Sequence, residues 1–271
     1  MEWKNIYRGI LMGASDVIPG VSGGTIAVVL GIYDRLIAAI NGFLSKEWKK
    51  QLGFLVPLGI GIVTAIFLLS NAIKWLFEHY PGPTKFFFLG LILGVLPYLF
   101  HKADAKNKFQ GKHIMLLLLG AVIVGSLAFL QANEGPVVEN MTTSTYILLF
   151  FSGFIASSAL VLPGISGSLL LVILGMHTTV ITAISNLQLD IIAVTGAGIV
   201  IGIVFMSKLV NFFLNNYYTG TFAVIIGMVI GSVFVVFPGW PSEGLLVLMS
   251  IVTFASGLAA AYLLGKVEYE V

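Results

Sequence analysis

The chain contains no cysteine, which excludes disulfides and thiol catalysis and leaves the redox compartment unreadable. Charge is scarce. Only 10% of the 271 residues are Asp, Glu, Lys or Arg, against roughly a quarter in ordinary soluble domains. Arginine occurs twice, at Arg8 and Arg35. The net charge of +2 is too small to suggest nucleic acid as a partner. The histidines His79, His101, His113 and His177 are scattered without metal-ligand spacing, so neither a metal nor a cofactor is expected. What remains is apolar: 58% of the chain is hydrophobic. That balance describes an all-α integral membrane protein of several spans, with the bilayer as its main partner. The apolar run after Lys4 and Arg8 contains Asp16 and soon breaks at Pro19, which argues against a cleavable signal.

One stretch occurs twice. Ile18-Pro19-Gly20-Val21-Ser22-Gly23-Gly24-Thr25 returns 144 residues later as Leu162-Pro163-Gly164-Ile165-Ser166-Gly167-Ser168-Leu169. At the same offset Gly9 matches Gly153, Leu30-Gly31 matches Leu174-Gly175, and Ile37 matches Ile181. Each copy interrupts an apolar segment. Proline removes a backbone donor and glycine admits left-handed turns, so a helix cannot run through Pro-Gly-x-Ser-Gly. A broken backbone at membrane depth is tolerated only where protein buries it or it lines a cavity. Two such breaks at matching places in two halves point to a transporter's binding site.

The chain divides at this repeat. Residues 1–143 hold a hairpin at 9–43 and spans at 53–77, 85–100 and 114–130. Residues 144–271 hold a hairpin at 146–185 and spans at 191–214, 221–237 and 245–264. Each half is expected to be one re-entrant broken-helix hairpin plus three transmembrane helices. The segment Gly9–Val17 is too short to span, and Thr25–Phe43 reads as one helix leaving the break. A single kinked span is the alternative to each hairpin. Three crossings per half would make the repeat inverted. Lys46, Lys49 and Lys50, then Lys102, Lys106, Lys108 and Lys112, put two loops and both termini in the cytoplasm, with the acidic loop of Glu134 and Glu139 outside. Gly59 and Gly61, Gly90 and Gly94, and Gly227 and Gly231 read as small residues at close helix crossings. Nothing in the sequence sets an oligomeric state.

A helix starts after each break, with unpaired N–H groups and a partial positive charge. Such an end inside a membrane favours an anion. Pro19, Gly20, Gly23, Gly24, Pro163, Gly164 and Gly167 shape the approach, and Ser22, Thr25, Ser166 and Ser168 add hydroxyl donors. Those hydroxyls could equally cap their own helices. Arg35 could pair with a phosphate, or snorkel and pair with Asp34. Asp16 is the one acid near either break, and Leu160 takes its place in the second copy. It is a candidate for coupling to protons or another cation, or a cap.

The run Gly13-Ala14-Ser15-Asp16-Val17-Ile18-Pro19-Gly20-Val21-Ser22-Gly23-Gly24-Thr25, with Leu30-Gly31-Ile32-Tyr33-Asp34-Arg35-Leu36-Ile37, resembles the bacterial polyprenyl-phosphate translocase family of the PopT type. Pro163-Gly164-Ile165-Ser166-Gly167-Ser168 resembles that family's second signature, and the likeness covers nearly the whole chain. The resemblance implies a plasma-membrane flippase, not an enzyme, that returns undecaprenyl phosphate, the lipid carrier of cell-wall synthesis, to the cytoplasmic leaflet. The architecture is also similar to the membrane undecaprenyl-pyrophosphate phosphatases, whose paired Pro-Gly-x-Ser breaks continue with an arginine and a serine. Here Gly23 and Gly167 stand after the serines, and neither hairpin has a glutamate. Transfer of a phosphoryl group needs more charge than this to stabilise it. A small-anion carrier is the third reading.

Overall fold

The computed structural model describes residues 1–16, 22–43, 45–130, 135–138 and 140–269, and among these there is no strand. In chain order the helices are α1 (Asn5–Asp16), α2 (Gly23–Val29), α3 (Tyr33–Phe43), α4 (Trp48–His79), α5 (Pro81–Lys102), the single turn α6 (Ala105–Lys108) and α7 (Gly111–Ser126), which tightens into a 3-10 turn at Leu127–Phe129. Then come α8 (Thr143–Val161), α9 (Gly167–Ile173), α10 (His177–Ser185), α11 (Leu189–Asn216), α12 (Tyr218–Val236) and α13 (Gly244–Tyr269). Seven of the described helices are long and apolar enough to cross a membrane: α4, α5, α7, α8, α11, α12 and α13. The chain is a multi-pass all-α membrane protein.

The segments at the two breaks are shorter than spans, with one exception. Twelve residues of α1 reach only about 18 Å at 1.5 Å per residue, well short of a hydrocarbon core of about 30 Å. Its counterpart α8 has 19 residues, enough to cross. The helices leaving the breaks do not run through. Thr25–Phe43, expected as one helix, is split in two, and so is the matching stretch 169–185. Gly31 (φ 66°) and Gly175 (φ 69°) adopt left-handed backbone, where a side chain would be strained. The Ile32 N–H donates to Ala27 O at 3.0 Å and Gly31 to Val28 O at 3.0 Å; Met176 donates to Leu171 O at 2.9 Å and Gly175 to Val172 O at 2.9 Å. This is one Schellman ending made twice at the 144-residue offset. It turns α10 away from α9 by 112°.

The same offset organises the packing. Within each half, the helix before the break lies along the first long helix after it, α1 on α4 and α8 on α11. The remaining helices pair across the halves, α5 with α13 and α12 with α7. Glycines let these axes approach. A Cβ on Gly9 would sit on the Leu58 carbonyl oxygen, one on Gly61 on that of Ile6, and one on Gly90 on that of Phe254. Gly94 packs against Ala261, Gly227 against Leu117 and Gly231 against Ala121. Gly59 corrects the expectation, because it faces open space with no atom within 4 Å. Pro57, inside α4, cannot bond the Gly53 carbonyl one turn back. The Glu2 N–H takes that oxygen at 2.9 Å, and Asn5 Nδ2 reaches Phe54 O at 3.2 Å. A proline in a spanning helix is thereby satisfied from a neighbouring segment.

Candidate functional site

The two breaks meet. Thr25 Oγ1, on α2, accepts a hydrogen bond from the Gly164 N–H at 2.8 Å, and both residues are buried. A second link lies beside it, where the Tyr33 hydroxyl donates to Val161 O at 3.0 Å. Val161 ends α8, so its carbonyl is one of those a helix leaves without an internal partner. Tyr33 is 1% exposed and could not hold its hydroxyl there without that acceptor. The stretch formed by α2 and α3 is thus fastened to the second break at two points.

The N-terminus of α2 is fully occupied by the protein's own groups. Ser22 is the N-cap, its Oγ accepting from Gly24 N at 3.1 Å. Its carbonyl accepts from Thr25 N at 2.9 Å and from Ile26 N at 3.2 Å. Asp16, at the end of α1, accepts from Gly23 N through Oδ1 at 2.7 Å. A carboxylate therefore stands at the end of α2 where an anion is favoured. A Cβ at Gly23 would lie 2.7 Å from the Asp16 carboxylate, so a side chain there would push that carboxylate aside. Every residue of α2 is buried.

The α9 end is built alike but is more open. Ser166 is its N-cap, accepting from Leu169 N at a long 3.5 Å, and its Oγ lies 2.9 Å from Ser168 Oγ. No acidic residue takes the place of Asp16, and no residue of α9 is fully buried. Gly164 (φ 87°) packs against Met228, whose carbonyl oxygen would lie 2.6 Å from a Cβ there. At Gly167 a Cβ would lie 2.7 Å from Ala156 O. In this conformation the room left by these glycines is filled by neighbouring backbone. The sequence reading had given that room to an approaching headgroup. Pro163 is buried at the turn. Pro19 and Gly20 lie outside the described residues.

Asp16, Ser22, Gly23, Gly24, Thr25, Pro163 and Gly164 are therefore drawn into one region, with Ser166, Gly167 and Ser168 following on α9. Arg35 is held elsewhere by other partners. Its Nη1 donates to Gln51 Oε1 at 2.7 Å, its Nη2 lies 3.9 Å from Glu2, and its guanidinium sits 4.9 Å over the Phe54 ring. It does not pair with Asp34, which bonds Lys102 instead. The sequence reading missed Tyr33 and Val161. The only available signal was a tyrosine following a break in an otherwise apolar run. Among the described residues no cluster of three His, Asp or Glu could hold a metal.

The arrangement offers hydroxyls, helix ends and one carboxylate, and no cation at the breaks. It offers little to stabilise a transferring phosphoryl group.

Comparisons with known proteins agree with this chemistry. The family model described as undecaprenyl phosphate translocase-like matches residues 12–251. A polyprenyl-phosphate transporter of Staphylococcus aureus (strain NCTC 8325 / PS 47) is 40% identical over 277 residues, covering 99% of this chain and 98% of the relative. A polyprenyl-phosphate transporter of Vibrio cholerae serotype O1 (strain ATCC 39315 / El Tor Inaba N16961) is 36% identical over 252 residues, covering 88% and 79%. No solved structure matches. Both relatives are named as transporters rather than enzymes. On the extent of these matches, the chain belongs to the undecaprenyl phosphate translocase-like family.

Proposed function

We propose that this protein carries undecaprenyl phosphate from the outer to the cytoplasmic leaflet of a bacterial plasma membrane, with its phosphate held at the ends of α2 and α9. Two relatives named for polyprenyl phosphate support the substrate class. The observation that carries the site is the occupied end of α2, where Asp16 accepts from Gly23 N at 2.7 Å beside the Thr25–Gly164 link. A phosphate oxygen can make the same charge-assisted bond as that carboxylate. Ser22, Thr25, Ser166 and Ser168 supply further groups, and Arg35 draws the headgroup toward the protein.

The two halves are read as an inverted repeat in the membrane, with both termini and the lysine-rich loops in the cytoplasm. The matched Schellman turns and exchanged helix pairs support the repeat. The lysine bias supports the orientation.

Inward movement of a phosphate lipid carries negative charge against an interior-negative potential, at about 2.3 kcal/mol per charge per 100 mV. Asp16 offers a way to offset it. When phosphate takes the Gly23 N–H, the displaced carboxylate is left in an apolar setting without its donor. It is held there most cheaply by gaining a proton. One proton would then travel with each lipid.

The test in cells is leaflet-specific detection of undecaprenyl phosphate with and without this protein. Accumulation in the outer leaflet on depletion is expected. An unchanged distribution in cells lacking other carriers of the lipid contradicts the proposal.

A further inference from the structure

The breaks themselves contain no cation. Arg35 lies 3.9 Å from Glu2, with side chains 42% and 49% exposed. Lys50–Glu47 at 3.1 Å and Lys108–Asp104 at 3.5 Å are exposed and lie within one turn of chain, where such pairs contribute little. Lys102 differs. Its Nζ lies 2.8 Å from Asp34 Oδ2, an ion pair that joins the end of α5 to the start of α3, with the Lys102 side chain 19% and the Asp34 side chain 36% exposed. The ammonium also lies 5.2 Å over the ring of Phe222, which is 1% exposed. Asp34 Oδ1 is buried and has no hydrogen-bond partner among the described residues. The Tyr218 hydroxyl, at the start of α12, lies near Asp34.

The second half is built without such a pair. At the 144-residue offset Asp34 becomes Thr178, and α12, which follows α11 as α5 follows α4, ends at Val236 with no charged residue before Glu243, so the second half makes the same turn without such a pair. Burying an ion pair seldom stabilises a protein relative to apolar packing. A lysine has three donors, and this one faces a single carboxylate oxygen, while the buried Oδ1 of that carboxylate has no hydrogen-bond partner among the described residues. The arrangement is that of a cation held by a weak, replaceable anion.

We propose that Lys102 is a phosphate-binding residue kept in reserve by Asp34, and that a phosphomonoester headgroup displaces Asp34 from it. The inference rests on the transport reading, and adds a second station for the headgroup where α3, α5 and α12 meet. Asp34 keeps Lys102 oriented and neutralised while no lipid is bound, and receives it back on release.

The test is binding by the purified full-length protein in detergent. The probes are a polyprenyl phosphate, the matching neutral polyprenol and inorganic phosphate. Lys102→Gln should weaken polyprenyl-phosphate binding roughly tenfold or more, the loss of one charge-assisted bond, and Lys102→Arg should restore most of it. Asp34→Asn should tighten binding severalfold by removing the competing anion. Polyprenol binding should be unmoved by all three. Competition by inorganic phosphate that is lost in Lys102→Gln shows that the free anion uses the site too; its absence confines the site to the lipid headgroup. Exchange of the pair, Asp34→Lys with Lys102→Asp, should restore thermal stability without restoring affinity. If the exchange restores both, or if folded Lys102→Gln binds as tightly as wild type, the pair is a structural latch and the inference is overturned. If the wild type binds polyprenyl phosphate no better than polyprenol, the transport reading itself fails and this inference falls with it.

Discussion

Thr25 Oγ1 and the Gly164 N–H, 139 residues apart in sequence, lie 2.8 Å apart in a buried hydrogen bond. The link joins two breaks that sequence alone only shows to be alike. It fastens the first turn of α2 to the turn that precedes α9. Thr25→Val keeps the shape but leaves the Gly164 N–H buried and unpaired, which costs about 1–3 kcal/mol. Thermal melts in detergent should show that loss, with Thr25→Ser close to wild type. Equal melting of the valine and serine variants would show that the bond contributes nothing.

Asp16 bears on both stability and coupling. Asp16→Asn keeps an oxygen for the Gly23 N–H, so α2 should stay capped. Asp16→Ala removes it and should cost about 0.5–2 kcal/mol, as for loss of a cap. In vesicles under imposed pH and voltage gradients, Asp16→Asn should lose the response of transport to pH while equilibrating movement survives. If the wild type and Asp16→Asn answer both gradients alike, Asp16 is a cap and nothing more.

Gly59 and Gly61 of α4 give a contrast within one turn. Gly61→Ala drives a methyl into the Ile6 carbonyl at the α1–α4 crossing and should cost about 1–3 kcal/mol by overpacking. Gly59→Ala meets nothing and should be neutral or slightly stabilising. Melting both variants side by side checks which face of α4 carries α1.

The absence of native cysteine suits the chain to topology mapping. In intact cells an impermeant thiol reagent should miss a cysteine introduced at Lys106 and label one at Glu134. The opposite pattern inverts the orientation and, with it, the direction in which the site would deliver its lipid.

The sequence was most legible where backbone chemistry is local. Pro-Gly-x-Ser-Gly cannot continue a helix, so the second break could be located from residue type alone, and the long apolar runs gave the remaining spans. The second bend in each hairpin was less visible. Gly31 and Gly175 stood out as a matched pair, but a glycine after an apolar turn reads equally as packing until its left-handed φ is known. Contacts between distant segments were not legible. Lys102 reads as part of a basic loop, and only the fold brings it to Asp34. Gly59 and Gly61 read alike in sequence, because which of them faces α1 depends on where α1 lies.

The most direct test reconstitutes the purified protein in vesicles and follows undecaprenyl phosphate between leaflets, comparing wild type with the Ser22→Ala, Ser166→Ala double variant. Each serine is expected to contribute about 0.5–1.5 kcal/mol to headgroup binding, so the double variant should bind roughly tenfold more weakly. The account predicts that the wild type moves the lipid phosphate faster than protein-free vesicles do, and that the folded double variant is slowed at subsaturating lipid. Movement no faster than in protein-free vesicles, or equal rates in the two proteins, would contradict it.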